Sequence, residues 1–213
     1  VLDIPFDTNA IIELGKQTTG TITVSVQKLT KLSDAARKLI GNRPVFDITV
    51  SYQRNGKTEY VSDFGKGSVT LGIAYKAADE EKSGNLFGVY VDKNGEPQLL
   101  ISSSYANGKI VFRRNSLSTY GVGYKAPAPA FTDTAKHWAK DSIDFVANRN
   151  LISGASETTF APDTAITRAD FLMVLGRLSG ADVSIYETGS FTDVKGTDSA
   201  MPYIEWAVKN KIV

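Results

Sequence analysis

The chain has 213 residues, of which 42% are hydrophobic, and it contains no cysteine. This length suits one large or two ordinary domains, and the missing thiols exclude disulfides, thiol catalysis and thiolate metal sites. The formal net charge of +1 argues against a nucleic-acid-binding surface. No apolar run approaches the ~20 residues of a membrane span, so we expect no membrane insertion. Because Val1 enters strand-like sequence without an initiator methionine, we expect a fragment of a longer protein.

Alternating apolar and polar residues predict a β-rich first part of the chain. Short helices are predicted over residues 9–16 and 33–40. Asn-Gly pairs at 55–56, 94–95 and 107–108 predict tight turns between antiparallel strands. Eight or so short strands at this spacing predict a sandwich or an open barrel over residues 1–126. The predicted strands are one that ends at Phe6 and others over 22–26, 46–52, 58–62, 69–75, 86–91, 98–103, 109–113 and 120–124.

A linker is predicted at residues 125–130, where proline and alanine alternate. Such a sequence favours an extended, semi-rigid spacer. Beyond it the apolar period changes from two residues to that of a helix. We therefore expect a domain boundary near residue 126, with few contacts across it.

Two helices are predicted in the second part of the chain. The first begins near Trp138 and ends before Gly154, because its apolar residues share one helical face. The second begins at Thr167, whose hydroxyl is well placed to cap the N–H of Asp170. Gly180 suits its end. Its predicted buried stripe consists of Phe171, Leu172, Leu175 and Leu178.

Arg168 is the charged residue of this region that packing explains least. It is spaced i, i+4, i+7 with Leu172 and Leu175, so its guanidinium leaves the first helical turn on the apolar side. A cation at the positive end of a helix dipole is disfavoured and calls for a nearby anion. That anion is either an internal carboxylate, such as Asp133 or Asp193, or a carboxylate or phosphate of a ligand. The spacing alone leaves both possibilities open.

An ordered series of short motifs resembles the S-layer homology module of bacterial surface proteins. The resemblance covers residues 131–213, with one complete module at 127–190, including the linker, and a truncated second module at 191–213. Phe-Thr-Asp-Val at 191–194 and Ile-Glu-Trp-Ala at 204–207 repeat parts of the first module. The first module has Phe-Thr-Asp at 131–133, His-Trp-Ala at 137–139, the Gly154 turn, Phe-x-Pro at 160–162 and Ile-Thr-Arg-Ala-Asp at 166–170.

The resemblance implies non-covalent anchoring of an exported protein to the bacterial cell wall. The ligand it implies is a pyruvylated secondary cell-wall polysaccharide, whose pyruvyl carboxylate would be read by the Thr-Arg segment. We expect Arg168 to be the main contact, with Thr167, Asp170, Trp138 and Asp133 around it. We expect no cofactor, metal ion or catalytic residue.

The other candidate sites favour structural roles. His137 is the only histidine, so any triad or histidine-based zinc site would have to include it, and a structural or surface role is favoured at this helix start. The acidic run at 79–81 could suggest a cation site, but a solvated loop is favoured. Residues 65–68 lack the full spacing of a phosphate loop and precede a strand, so a tight turn is favoured.

Two further groups could meet a polysaccharide. Trp138 and Trp206 are favoured as core residues, although aromatic faces also stack on sugar rings. A basic cluster is favoured as ordinary surface charge, although it could meet an anionic wall polymer. Its members are Lys28, Lys31, Arg37, Lys38 and Arg43.

The predicted fold class is multidomain: an all-β, sandwich-like N-terminal domain with minor helices, followed by an all-α S-layer homology module. In general layout the N-terminal domain is similar to β-rich modules that precede S-layer homology repeats. We expect a non-enzymatic, extracellular protein of the bacterial cell surface, whose β domain is a spacer or display module. Self-association is expected through the incomplete second module. Two alternatives are the accessory tail of a surface-attached glycoside hydrolase and a carbohydrate-binding adhesin.

Overall fold

A computed structural model describes residues 1–127 and 131–213. The chain divides into two compact units, Val1–Ala126 and Pro127–Val213. The predicted linker at 125–130 lies partly outside the described residues, so its extended conformation stays a prediction.

The first unit is built mainly from short strands. A single turn of 3-10 helix, Ser83–Asn85, precedes the sixth of them. In chain order the elements are β1 (Leu2–Asp3), α1 (Thr8–Gln17), β2 (Ile22–Lys28), α2 (Asp34–Ile40), β3 (Val45–Arg54), β4 (Lys57–Tyr60), β5 (Val69–Ala74), β6 (Leu86–Val91), β7 (Pro97–Leu100), β8 (Ser104–Ala106), β9 (Lys109–Arg114) and β10 (Thr119–Tyr124).

These strands form two antiparallel sheets. The smaller sheet has the order β1-β5-β9-β8. The larger has the order β2-β3-β10-β6-β7, and β4 pairs with the C-terminal end of β3. The β8–β9 hairpin turns through Asn107 and Gly108, whose φ angles are +52° and +73°. This left-handed conformation is the one that a two-residue hairpin requires, as the Asn-Gly pair predicts.

Both sheets contribute to one hydrophobic core. Ile48 and Val50 of β3 and Leu71 and Ile73 of β5 are almost completely buried, which is the two-residue period visible in the sequence. Helix α1 packs its buried face into the same core. Helix α2 covers the opposite face of the larger sheet.

One predicted strand ends earlier than expected, because the chain leaves the larger sheet there. The sequence predicts a single strand over 98–103, whereas β7 ends at Leu100 and the chain resumes as β8 in the smaller sheet. Ser103 is buried at the bend, where its hydroxyl donates to the carbonyl of Leu100 and accepts the N–H of Gly88. This side chain takes over hydrogen bonds that a strand ladder would otherwise supply, so the chain can cross between sheets.

Strand β2 is an edge of the larger sheet and pairs only with β3. Its residues Val24 and Val26 lie opposite Val50 and Ile48, which face the core. Nevertheless Val24 is 40% exposed and Val26 is 46% exposed. The smaller sheet has fewer strands, and although Ile22 still packs against the shared core, the rest of β2 is exposed.

The second unit has three α-helices in its described residues: α3 (Lys140–Asn148), α4 (Arg168–Ser179) and α5 (Met201–Lys209). The predicted fold class, an all-β sandwich-like domain joined to an all-α module in a multidomain chain, is therefore wrong. The module region is not all-α, and residues 1–127 and 131–213 taken together are mainly β-sheet with five small α-helices. The reason lies in the segments between helices, where side chains such as Asp133 and Ser156 bind backbone N–H groups and compete with helical hydrogen bonds. The predicted division at residue 190 stays a prediction.

Helix α4 spans the residues that the sequence predicts, but its buried face differs. Leu172 is buried, whereas Phe171 and Leu178 are exposed. The contact between α4 and α5 includes Gly176, where an added Cβ would lie 2.5 Å from the Tyr203 ring. The contact between α4 and α5 thus depends on the absence of a side chain at Gly176, which hydrophobic periodicity does not reveal.

A buried ion pair holds the loop after β5. Glu81, whose side chain is only 5% exposed, accepts hydrogen bonds from the guanidinium of Arg43, from the hydroxyl of Tyr75 and from the N–H of Ala78. Burial alone would raise the pKa of Glu81, but the hydrogen bonds from Tyr75, Ala78 and Arg43 outweigh it and hold this pKa below its ordinary value. The solvated loop favoured at 79–81 is therefore wrong for Glu81.

Acid is expected to weaken the first unit through Glu81. Because the pKa of Glu81 is depressed in the folded state, its contribution to stability is complete above the ordinary carboxyl value of about 4.3 and is lost as the pH falls from there toward the folded value. Glu81→Gln should lower the free energy of unfolding by about 2–3 kcal/mol at neutral pH, because Arg43 loses its buried partner. Urea denaturation followed by far-ultraviolet circular dichroism measures this loss.

Glu80→Gln is the matched control, since Glu80 carries the same charge next to Glu81 but is exposed. We expect it to leave the free energy of unfolding nearly unchanged. Tryptophan fluorescence would follow the other unit, because both tryptophans lie there. Equal destabilisation by the two substitutions would contradict the prediction.

Candidate functional site

The start of α4 is fixed by a reciprocal capping box. Thr167 Oγ1 accepts the N–H of Asp170 at 3.1 Å, while the Asp170 carboxylate accepts the N–H and the hydroxyl of Thr167 at 3.1 and 2.6 Å. Such a box satisfies backbone donors that the first turn leaves free. It also fixes the backbone of Arg168, which follows the cap directly.

Arg168 lies at an open groove of about 280 Å³. Because Leu172 and Leu175 also line this groove, the i, i+4, i+7 spacing does bring the cation next to apolar side chains. Apart from Arg168 and Thr167, the lining is apolar and consists of Ile166, Phe171, Leu172, Leu175, Ile212 and Val213.

Arg168 is exposed, and no carboxylate of the described residues pairs with its side chain. Of the two internal acids considered from the sequence, Asp133 is occupied by backbone N–H groups and Asp193 makes no ion pair with Arg168. The internal partner that the sequence left open is therefore not observed in residues 1–127 and 131–213. What remains is an exposed guanidinium beside the positive end of a helix dipole.

Asp133 organises the connector between α3 and α4. Its carboxylate accepts the N–H of Phe160 at 3.0 Å and the N–H of Ala161 at 2.7 Å. These bonds, first that from Phe160 and then that from Ala161, lower the pKa of Asp133. They also support the unusual backbone of Ala161, whose φ is +59°. Asp133 does not line the groove of Arg168.

Trp138 is 91% exposed, so the favoured core position is wrong for this residue. Its neighbour His137 has a structural role, as favoured: Nδ1 accepts the N–H of Ala139 at 3.1 Å, and Nε2 lies 3.4 Å from the Asp163 carboxylate. Trp206 is half-buried and lies near Gly176 in the contact between α4 and α5. Trp138, like Asp133, does not line the groove of Arg168.

A second cavity, of about 670 Å³, lies between the connector and α4. Asp170 and Arg177 supply its charges, and Ile166 lines both cavities. Unlike Arg168, Arg177 is engaged, because its guanidinium donates to the carbonyls of Asn150 and Leu151 at 3.1 and 3.0 Å. The sequence pattern did not single out Arg177, although a cation in the last turn of a helix is a usual partner for free carbonyls.

Arg149 is another cation that the sequence pattern does not reveal. It is almost completely buried, and its guanidinium carbon lies 3.8 Å from the centre of the Phe145 ring. Burial lowers the pKa of Arg149 to about 10, so the side chain remains charged at neutral pH. No spacing or motif in the sequence marks it.

The other candidates from the sequence do not form a ligand site. Residues 65–68 make a turn under α1, where a Cβ added to Gly67 would lie 2.1 Å from the nitrogen of Ala10. In the basic cluster Arg43 is paired with Glu81, while its three lysines are exposed. No group of three metal-binding side chains occurs among the described residues.

Residues 130–172 and 190–213 match the family model of the S-layer homology domain. The chain carries S-layer homology sequence. The two matched segments contain both copies of the Phe-Thr-Asp motif and the Thr-Arg segment, so the resemblance seen in the sequence is confirmed.

Several curated proteins are similar to part of this chain. An amylopullulanase of Thermoanaerobacterium thermosulfurigenes is 32% identical over 108 residues, which are 51% of this chain and 6% of the relative. Exoglucanase XynX of Acetivibrio thermocellus is 35% identical over 83 residues, 39% of this chain and 8% of the relative. Cell surface glycoprotein 1 of the same species is 32% identical over 88 residues, 40% of this chain and 4% of the relative. The chain thus spans less than a tenth of each relative, and no solved structure is significantly similar to it.

The S-layer homology domain is a non-catalytic domain that anchors proteins at the cell surface and binds cell-wall polymers. The predicted location, outside the cell at the bacterial surface, is confirmed by this match and by the surface proteins among the relatives. Within the described part of the chain, no helix is long and apolar enough to cross a membrane.

Proposed function

We propose that this chain anchors a larger exported protein by binding an anionic, pyruvylated cell-wall polysaccharide at the start of α4. The observation that carries the proposal is Arg168: an exposed guanidinium without a carboxylate partner among the described residues, next to an apolar groove. A charge in that position is explained by an anion that arrives from outside.

A pyruvate ketal suits both the charged part and the apolar part of this groove. Its carboxylate would take the two parallel hydrogen bonds that a planar guanidinium offers, and the free N–H groups of the helix start favour the same negative charge. Its methyl group, on the same carbon as the carboxylate, would lie against apolar side chains such as Leu172 and Leu175. A neutral hexose without the ketal offers neither group.

The other predicted site residues would support the binding of the polymer without contacting its carboxylate. Thr167 and Asp170 fix the helix start from which Arg168 projects. Asp133 holds the connector that precedes this helix. Trp138 presents an open aromatic face on which a sugar ring can stack, at a place outside the groove.

Arg168→Ala is expected to weaken binding of pyruvylated wall polymer by roughly one to two orders of magnitude. A bidentate guanidinium–carboxylate contact is typically worth about 1.5–3 kcal/mol, which corresponds to that change. Arg168→Lys should recover little, because an ammonium cannot form the planar fork. Isothermal titration calorimetry with the purified polymer, before and after chemical removal of the pyruvyl groups, measures the effect.

Lys195→Ala is the matched control, because it removes one exposed positive charge from the same unit. We expect its affinity to stay close to that of the original chain. If Arg168→Ala binds as tightly as Lys195→Ala while circular dichroism shows both folded, Arg168 does not contact the polymer.

The relatives favour a more specific version of this proposal, in which the chain is the anchoring part of a surface-attached glycoside hydrolase. Three of them are named as an amylopullulanase, an exoglucanase and an endo-1,4-beta-xylanase, and the chain spans 6% to 8% of their length. The coding sequence outside this chain decides the matter. A further domain with paired catalytic carboxylates would support the version, and its absence from the full coding sequence would exclude it.

We also propose that the apolar wall of the groove packs against a further S-layer homology module. Phe171 is 53% exposed, and Ile166, Ile212 and Val213 of the same groove are exposed as well. Neighbouring apolar side chains of this kind are typical of a contact surface.

Phe171→Ser should therefore reduce self-association that arises through these modules. Multi-angle light scattering over a range of concentrations measures it, with Arg168→Ala as a control that changes the same helix without removing apolar surface. Identical masses for Phe171→Ser and the original chain, in a range where the original chain associates, would contradict the proposal.

A further inference from the structure

Strand β2 has backbone hydrogen-bonding groups that point away from the sheet. Leu29 donates its N–H to the carbonyl of its opposite residue Val45, and in an antiparallel pair such bonded residues alternate along the strand. Odd-numbered residues of β2 therefore bond to β3, and even-numbered residues direct their N–H and C=O groups outward. On the far side of β3 the alternation agrees, because Val50 accepts the N–H of Val61 of the β4 hairpin.

The side chains of β2 also suit a strand that is paired on both sides. Val24 and Val26 continue the core-facing row of β3, but they are 40% and 46% exposed and belong to neither buried cluster. Thr23, Ser25 and Gln27 form the polar row on the other face. At Val24 and Val26 the inner face of β2 is thus apolar and exposed, while Ile22 at its start packs against the core.

The other sheet edges in the described residues carry protection that β2 lacks. The edge strands β1 and β8 have only two and three residues, β7 begins with Pro97, and β4 carries Lys57 and Glu59. Short length, proline and charge are the usual devices that prevent pairing at an edge. Strand β2 has seven residues, no proline and no charge before Lys28.

We propose that β2 pairs antiparallel with β2 of a second copy of the chain, about a two-fold axis at Ser25. This goes beyond the proposed anchoring function and uses a different unit of the chain. In this register Val24 lies opposite Val26 of the second copy, and Ile22 lies opposite Lys28. Every even-numbered residue then meets an even-numbered residue, so the outward-pointing backbone groups of both strands bond to each other.

Self-pairing fits β2 for two reasons besides its backbone. The two-fold register brings four valines together on the uncovered inner face, where cross-strand apolar pairs stabilise a sheet. It also keeps the two Lys28 side chains at opposite ends of the pair, so no like charges face each other. A register centred on Ser25 is the one that pairs all seven residues of β2.

The register can be tested by cross-linking, because the chain contains no cysteine of its own. Ser25 is a non-hydrogen-bonded position of the proposed pair, so its two copies would have Cα atoms about 4.5 Å apart, within disulfide range. Ser25→Cys in the full chain should therefore form a disulfide dimer under mild oxidation. Thr23→Cys is the control, since the Cα atoms of its two copies would lie roughly 13 Å apart, so it should form no disulfide dimer. Equal or preferential cross-linking of Thr23→Cys would overturn the register.

A second test removes the contact without removing the fold. Val26→Lys places a charge in the apolar row between the two strands, while Thr23→Lys places the same charge on the polar face of the same strand. We expect at least a tenfold increase in the dimer dissociation constant for Val26→Lys and less than a threefold change for Thr23→Lys. Sedimentation equilibrium of the full chain measures both constants, with Phe171→Ser present in every variant to remove association through the other unit. Circular dichroism shows that the variants fold.

A chain that stays monomeric up to millimolar concentration in that background, with no cross-link through Ser25→Cys, would overturn the proposal. Polymer binding separates this result from the anchoring function. Val26→Lys should bind wall polymer as the original chain does, and Arg168→Ala should dimerise as the original chain does.

Discussion

The first unit depends on a single core shared by two sheets of unequal width. Four strands on one side face a larger sheet on the other, so some of the larger sheet has no opposing strand. Helix α1 adds to the shared core, and α2 covers the opposite face. The same inequality leaves β2 uncovered at its edge, so a constraint of packing creates an apolar strand at the surface.

The second unit depends on a different constraint, because its helices are short and their ends must be fixed by other contacts. Isolated helices of nine to twelve residues are marginal in water, so capping and tertiary contacts must supply their stability. Thr167 and Asp170 cap α4, Gly176 lets Tyr203 approach it, and Asp133 fixes the connector that leads to it. Together these contacts give Arg168 a defined position without neutralising its charge.

The sequence predicts what depends on local pattern. Period-two alternation locates most of the strands, Asn107 and Gly108 locate a hairpin, and Thr167 locates the start of α4, because each signal acts within a few residues. The S-layer homology region is recognisable in the same way, since each of its motifs is a short run of consecutive residues. Arg168 could also be singled out, because its spacing with Leu172 and Leu175 is a local property of the helix.

What the sequence could not predict depends on residues that are distant along the chain. The hydrogen bonds of Ser103 to Gly88 and Leu100 stabilise the bend at which the chain crosses between the sheets, and periodicity does not reveal them. Glu81 looked solvated because its partner Arg43 is 38 residues away. Hydrophobicity does not show which loops interrupt the helices. For this reason Trp138 was expected in the core, and the prediction of an all-α module was wrong.

Strand β10, the last strand of the first unit, lies between β3 and β6 and is paired with both. A protein that is held to a wall carries mechanical tension along its chain. Tension along β10 would load its hydrogen bonds to both neighbouring strands in shear, so many would have to break together. Strand β1 is paired with one strand, through Leu2 and Asp3, and the segment after it continues this contact through Pro5, Phe6 and Asp7. The last strand of the first unit is therefore held by more backbone pairs than its first strand.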